Sequence, residues 1–396
     1  MRADGNGARR TIAVLVGILA LGTMPASGAS PAPEDALVIG GGFGLTGALA
    51  PIDGPIHAGA LLAVETLNAD GGLLGRSVHL AVRDSGSVPE GAAAAAGAAI
   101  GEDGAIAYIG YGDPAPVLAA GPVLQAAGIP MITPGATAPF LPELIGDMLF
   151  LAAFGDDAQA AAGTRFALAT FGPRIALLWD AEDVYTRTLA AGVRDALAAA
   201  GSAPVVDREL PADAAGRAAA IAEIAALADA MDALYLAATA PGAGPLVRDL
   251  RAAGFAGPIV GGDAFAAPDL LAVAGDAADG VHFSTHAFLG DGSTDAALTA
   301  FADRYATRWG IAPESAFAAL GHDAVTILAA GITAAGTTDG AAIRAALEAT
   351  NGLATLTGTV GYGPGAHVPA KDVTIVRVAD GRTEVAAVIP PVGAAD

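Results

Sequence analysis

Short apolar runs alternate with alanine-rich helical patterns along almost the whole chain, and that alternation leaves few folds open. Leu37–Ile39, Ser77–Arg83, Ala105–Ile109 and Pro130–Ile132 read as strands. Between them Pro55–Asn68, Glu90–Ile100 and Pro116–Ala127 carry helical periodicity, with Ile56, Ala60, Val64 and Leu67 on one face. Strand, helix, strand in that order predicts a parallel sheet covered on both faces. After a bridge near Leu149–Phe154 the pattern restarts, with strands at Ile175–Trp179, Val205–Glu209, Ala233–Leu236 and Ile259–Val260. Helices at Asp157–Thr170, Thr186–Ala200, Ala214–Ala228 and Pro245–Ala253 separate them. The fold class expected is therefore α/β, two doubly wound parallel-sheet lobes in series, which suits 396 residues.

The last third departs from the alternation. Gly280–Ser284 reads as a strand, but Thr294–Arg308, Ser315–Ala334 and Gly340–Ala349 are helical in succession. Thr355–Gly361, Val373–Val378 and Val385–Ile389 then read as strands. A helical block that fits neither alternation implies a return to the first lobe, with the final strands completing the second. The expected division is lobe 1 at 30–155 plus 286–357, and lobe 2 at 156–285 plus 358–396.

Residues 1–29 read as a secretory signal: Arg2, Arg9 and Arg10, the apolar run Ile12 to Leu21, then Met24-Pro25-Ala26-Ser27-Gly28-Ala29. The apolar core is too short to span a membrane, and no later segment offers about 18 unbroken apolar residues. The chain has no cysteine, which excludes disulfides, thiolate metal sites and a cysteine-linked lipid anchor. A Gram-negative periplasm is the expected location, with an extracellular one the alternative. Formal net charge is −22, and losing three arginines and Asp4 with the signal takes it to about −24. Such a surface repels nucleic acid and anionic lipid.

One string argues for a different class. Gly42-x-Gly44-x-x-Gly47, after Leu37-Val38-Ile39, spells the dinucleotide-binding fingerprint. A dinucleotide site also needs an acidic residue ending the second strand, ~20 residues past the glycines, to bind the ribose hydroxyls. Here the second strand ends at Asp84, much farther on, while Glu65 has nearer spacing but lies inside a helix. Reduced nucleotides are also scarce outside the cytoplasm. No cofactor is expected.

The surrounding residues carry a broader resemblance. They are Leu45-Thr46-Gly47, then Ala63-Val64-Glu65-x-x-Asn68-Ala69-Asp70-Gly71-Gly72-Leu73-x-Gly75-Arg76, then a strand and Asp84. Ile129-Pro130-Met131-Ile132-Thr133-Pro134-Gly135-Ala136-Thr137-Ala138-Pro139 follows, with Asp156-Asp157-x-Gln159, Leu250-Arg251-Ala252-Ala253-Gly254 and Gly358-Thr359-Val360-x-Tyr362 farther on. This order resembles the branched-chain amino-acid type of ABC-transporter substrate-binding protein, a type I periplasmic binding protein, across essentially all of the exported chain. The resemblance implies two lobes closing on a ligand, three crossings at the hinge, delivery to a membrane permease, no catalysis and a monomer. A sensory binding protein of the same fold is the alternative, and a secreted enzyme a remote one.

A zwitterion needs donors for its carboxylate and an acid for its ammonium. By resemblance, Thr137 and the N–H groups of Ala136 and Thr137 hold the carboxylate. Asp263 receives the ammonium, and Tyr185 bonds or covers the ligand. An ordinary turn aspartate and a packed tyrosine are the plainer readings. Two positions depart from the family. Pro114 stands where a carboxylate-binding serine is usual, with Asp113 beside it, and Thr239 stands where a tyrosine is common. Both departures point away from a plain aliphatic amino acid and toward a ligand of more positive character or one without an α-carboxylate, although Asp113 also reads as a solvated turn residue. Ile52 and Phe317 would supply apolar walls, or simply pack in the core. His282-x-x-x-His286 has metal-like spacing but spans a strand end and a loop with no acid between, so no metal is expected.

Overall fold

The computed structural model describes residues 33–290 and 292–391, so the signal segment at 1–29 lies outside the described residues. The first lobe is built from β1 (Leu37–Phe43), α1 (Ala50–Ala69), β2 (Val78–Asp84), α2 (Pro89–Gly101), β3 (Ala107–Gly110), α3 (Pro114–Ala127), β4 (Met131–Thr133), α4 (Leu141–Ile145) and β5 (Leu149–Leu151). Its five strands run parallel in the order β2-β1-β3-β4-β5. The second lobe continues with α5 (Asp156–Thr170), β6 (Ile175–Asp180), α6 (Val184–Ala199), β7 (Val206–Leu210) and α7 (Ala214–Ala226). It goes on through β8 (Ala233–Ala237), α8 (Ala243–Ala252), β9 (Ile259–Gly261), α9 (Asp269–Ala274) and β10 (Val281–Thr285). Then come α10 (Ala296–Trp309), α11 (Ala316–Ala335), α12 (Gly340–Glu348), the short ribbon β11 (Leu353–Thr355) and β12 (Gly358–Val360), and the hairpin β13 (Val373–Ala379) and β14 (Arg382–Ile389). The second sheet has the order β14-β13-β10-β9-β8-β6-β7, with β13 antiparallel to β10 and the rest parallel except the terminal hairpin.

Three local readings change in the structure. Strand β1 runs on past the apolar run Leu37–Ile39 and takes in the glycines Gly40–Gly42. They stay small because Tyr108 and Tyr111 press on them: a Cβ at Gly42 would lie 2.0 Å from the Tyr108 hydroxyl. Helix α1 begins at Ala50, five residues before the proline that seemed to start it, because Pro51 sits in its first turn and Pro55 gives up only one hydrogen bond. The run Thr355–Gly361 splits into two strands at a turn where Gly358 has φ +113°.

The helical block returns to the first lobe. Leu320, Ala324, Ile327, Leu328 and Ile332 of α11, with Ile343 and Leu347 of α12, share one core with Leu37 and Ile39 of β1 and Ile56 and Ala60 of α1. α11 is long and apolar enough to cross a membrane, but 78% of that stretch is buried in the fold. Two glycines let α1 and α11 touch backbone to backbone. A Cβ on Gly59 would fall 1.8 Å from the Ala318 carbonyl oxygen, and one on Gly321 would fall 1.9 Å from that of Ile56. This reciprocal contact fixes the first turn of α11, which carries Phe317.

The chain thus passes between the sheets after β5, after β10 and after β12. The crossings support one another. Phe154 of the first stacks on His286 of the second at 3.9 Å. In the third, Tyr362 Oη donates to the Leu151 carbonyl at 2.6 Å, Leu151 N–H donates to the His367 carbonyl at 2.9 Å, and the His367 ring stacks on Phe150 at 4.0 Å.

Because backbone oxygen cannot yield, Gly321→Ala should destabilise the protein by about 2 kcal/mol, read from urea unfolding. Gly54→Ala, on the same α1 but with open space around it, should be neutral or slightly stabilising.

Candidate ligand site

The glycine-rich loop after β1 spends its amides on the chain's own carboxylates. Gly44 N–H donates to Asp53 Oδ2 at 2.5 Å, and Gly112 N–H to Asp53 Oδ1 at 2.7 Å. Asp84 Oδ1 accepts from the N–H groups of Leu45 (2.9 Å), Thr46 (3.3 Å) and Gly86 (2.8 Å), and its Oδ2 from the Thr46 hydroxyl (2.7 Å). The amides of Gly44, Leu45 and Thr46, which a pyrophosphate would use, are thus occupied by the chain's own carboxylates. Burial lifts the Asp53 carboxyl to about 6 despite its two amide donors. Partial burial pushes Asp84 up as well, but its four donors win and hold it below the usual carboxylate range. Asp53 also ties the loop after β1 to the loop after β3, so both strand ends are presented as one wall.

The opposite wall is organised around Asp263, which follows β9. It is 2% exposed and has three side-chain partners. Gln159 Nε2 (3.0 Å) and Tyr185 Oη (2.8 Å) donate to Oδ1, and His286 Nε2 lies 2.8 Å from Oδ2. Gln159 is fully committed: its Oε1 accepts from Asp263 N–H (3.0 Å) and Ser284 Oγ (2.7 Å), and its Nε2 also donates to Asp156 Oδ1 (2.7 Å). Burial pushes Asp263 up, but the bonds from His286, Gln159 and Tyr185 outweigh it and hold the carboxylate ionised. Neighbouring Asp156 goes the other way, raised by burial and by the Asp263 charge. Among the described residues, His286 Nδ1 is buried without a partner.

Between the walls lies a gap of about 10 Å3 lined by Ile52, Gly112, Asp113 and Gly135 of the first lobe, by Phe317 at the start of α11, and by Tyr185, Thr239, Asp263 and Ala264 of the second. These residues sit at the carboxyl ends of the strands in both sheets or in first turns of helices, where open α/β sheets hold ligands. Asp113 is presented by Tyr111, a buried residue at φ +68° whose carbonyl accepts the Thr133 hydroxyl at 2.9 Å. Asp113 caps α3, accepting from Ala115 N–H at 2.8 Å, and Asp183 caps α6 in the other lobe by the same means, with Thr186 N–H at 2.8 Å. α3 and α6 touch across the cleft. Burial and the facing charge of Asp183 push Asp113 up to about 7.

A family profile described as "Periplasmic binding protein" matches residues 37–383. The chain belongs to the periplasmic binding protein family. Its sequence is 29% identical to the Leu/Ile/Val-binding protein BraC3 of Rhizobium johnstonii, over 80% of this chain and 86% of that protein. The fold superposes on the leucine binding protein LivK of Thermotoga maritima with a TM-score of 0.80 at 26% identity, covering 90% of this chain and 99% of that one. It superposes on the branched-chain amino acid transporter substrate binding protein LivJ of Streptococcus pneumoniae, in complex with isoleucine, with a TM-score of 0.78 at 25% identity and the same coverage. This is a branched-chain amino-acid-type periplasmic binding protein and not an enzyme.

Of the residues singled out in the sequence, the structure brings Ile52, Asp113, Tyr185, Thr239, Asp263 and Phe317 to the gap of this periplasmic binding protein. Pro114, Ala136 and Thr137 lie just behind it, all buried. The Thr137 carbonyl accepts Asp156 N–H at 2.7 Å, which ties that loop to the start of α5. His286, Asp53 and Asp183 were missed as site residues. His286 was legible only as half of a metal pair, but its ring serves Asp263 while His282 packs against Phe166 and Phe171. The usable signal was its place just past β10, at the same end of the sheet as Asp263. Asp183 stood beside Tyr185 as a helix cap and needed only to be asked what its helix faced.

Two outcomes follow from these carboxylates. Asp84→Ala should cost about 1–2 kcal/mol in unfolding free energy at pH 7, since it orphans several loop donors. Its folded value lies below its unfolded one, so the difference from wild type should be complete above pH ~4 and vanish as pH falls through the lower folded value. Asp113 has the opposite sign: its value in the closed protein, about 7, exceeds the ordinary ~4 of a solvated aspartate. Closure is therefore favoured at low pH and loses that support as pH rises through about 7. Small-angle scattering of the ligand-free protein should show a larger radius of gyration at pH 8 than at pH 6, and Asp113→Asn should remove the difference.

Proposed function

We propose that this periplasmic binding protein is the solute receptor of an ABC importer. It captures a small polar ligand, amino-acid-like or an amide or amine, between its lobes and delivers it to a permease in the inner membrane. The observation that carries this reading is the arrangement at the gap. A buried, ionised Asp263 with Tyr185 beside it on the second lobe faces Ile52, Asp113 and Phe317 belonging to the first. A polar head and an apolar body are both provided for, and both walls are needed to enclose them. The three crossings supply a hinge about which the walls can part. LivK is a leucine binding protein and LivJ is in complex with isoleucine, ligands that likewise join a charged head to an apolar body. The signal-like N-terminus supports export to the periplasm.

The test is a thermal-shift screen of the exported protein against amino acids, amides, amines and aromatic acids. A true ligand raises Tm with concentration, reaching about 2.7 kcal/mol of added stability at a hundred times its Kd. Asp263→Asn, which keeps the shape of the side chain, should weaken the best hit at least about tenfold. If no solute of any class raises Tm, the receptor reading fails.

A further inference from the structure

The interlobe cleft is acidic from both sides, and the start of α3, where a carboxylate would be received, offers it no free amide. In the first lobe, α3 points its N-terminus at the gap, a position that ordinarily offers free N–H groups to an anion. Here the first and third helical residues are Pro114 and Pro116, which have no N–H, and the second, Ala115, has its N–H taken by Asp113. In the second lobe, α6 meets the gap with its first turn, and Asp183 takes the Thr186 N–H there. The starts of α3 and α6 thus each carry a carboxylate of the chain's own where an anionic ligand group would sit. Thr137 is 1% exposed and does not line the gap.

The cations near these acids are already placed. No lysine or arginine lines the gap among the described residues. His286, the nearest basic ring, faces Asp263 from behind. Arg187, on α6 beside Asp183, gives its guanidinium to the Ala181 carbonyl at 2.6 Å. Lobe closure then brings Asp113 toward Asp183 with Asp53 and Asp263 close by, and desolvates them. A carboxylate arriving in that space adds to the repulsion, whereas a cation relieves it. The aromatic face of Phe317 and the ring of Tyr185 suit a cation with an alkyl body, and Ile52 extends the apolar wall. Asp263 lines the gap and retains acceptor capacity, since His286 is the one side-chain partner of its Oδ2 among the described residues.

We infer that the ligand is a small organic cation without a free carboxylate, an amine or amidine, whose charged nitrogen lies between Asp113 of the first lobe and Asp263 of the second. The inference rests on the solute-receptor reading. Asp113 is the specificity determinant: it turns the subsite that would hold a carboxylate into one that rejects it.

Calorimetric titration of the exported protein at pH 7.5 with four compounds that share an isobutyl group tests this. Isopentylamine and leucinamide are cations there, at least in part, leucine is a zwitterion and isovalerate an anion. The two amines should bind at least about tenfold more tightly than leucine, and isovalerate should not bind. Asp113→Asn keeps the helix cap but removes the charge, so it should weaken the amines about tenfold and narrow their advantage over leucine. Circular dichroism of the variant checks that it is folded. If neither amine binds, if leucine or isovalerate binds as tightly, or if Asp113→Asn leaves the preference unchanged, the inference falls. The receptor reading survives those results as long as the wider screen finds a ligand, so the two failures are told apart.

Discussion

Everything on the second wall of the cleft depends on keeping one buried carboxylate charged. An ion of that size is expensive to hold away from water, and the protein offsets the cost with donors rather than with a lysine or arginine. Gln159 is central because one amide side chain bonds Asp263 at both its carboxylate and its backbone, and also reaches Asp156 and Ser284. That ties the start of α5, the end of β9 and the end of β10 into a single rigid piece. Tyr185 brings in α6, and His286 brings in the hinge. The polar head of the site is thus preorganised before a ligand arrives, which lowers the ordering cost of binding.

The hinge and the site share residues, so occupancy and geometry are coupled through direct contact. His286 stacks on Phe154 in the adjacent crossing while its other face of chemistry serves Asp263. A change in the charge state or occupancy around Asp263 is felt at once by two of the three strands about which the lobes turn. The third strand is anchored more remotely, by Tyr362 and His367 on the edge of β5. Closure also sets Asp113 against Asp183, so the unliganded closed form carries an electrostatic load that a suitable occupant lightens.

Much of this was legible in the sequence. The strand–helix alternation is a matter of hydrophobic period, so the order of elements and the return of α10–α12 could be read directly. Tyr185 and Asp263 came from the family resemblance, and both sit at strand or helix ends where such sheets bind ligands. Boundaries failed where special residues act against their usual sense. Pro55 seemed to open a helix that is already under way, and β1 runs on past its apolar residues into Gly40–Gly42, thinned for two tyrosines. What could not be read were contacts across sequence distance. Nothing local says that Asp84 will fold back on Thr46, that Asp53 will bridge to Gly112, or that His286 will reach Asp263. The dinucleotide-like string misled for the same reason: its glycines were visible, and the carboxylates that occupy its amides were not.

The close seating of α11 on α1 has a consequence for the order in which the molecule can be made. The core around β1 includes side chains as late as Val360, while the main body of the second lobe needs little before Asp156 and is complete once its last hairpin is added. The domain whose synthesis begins first is therefore left without its helical cover until most of the polypeptide has emerged. Its apolar surface stays open during that interval.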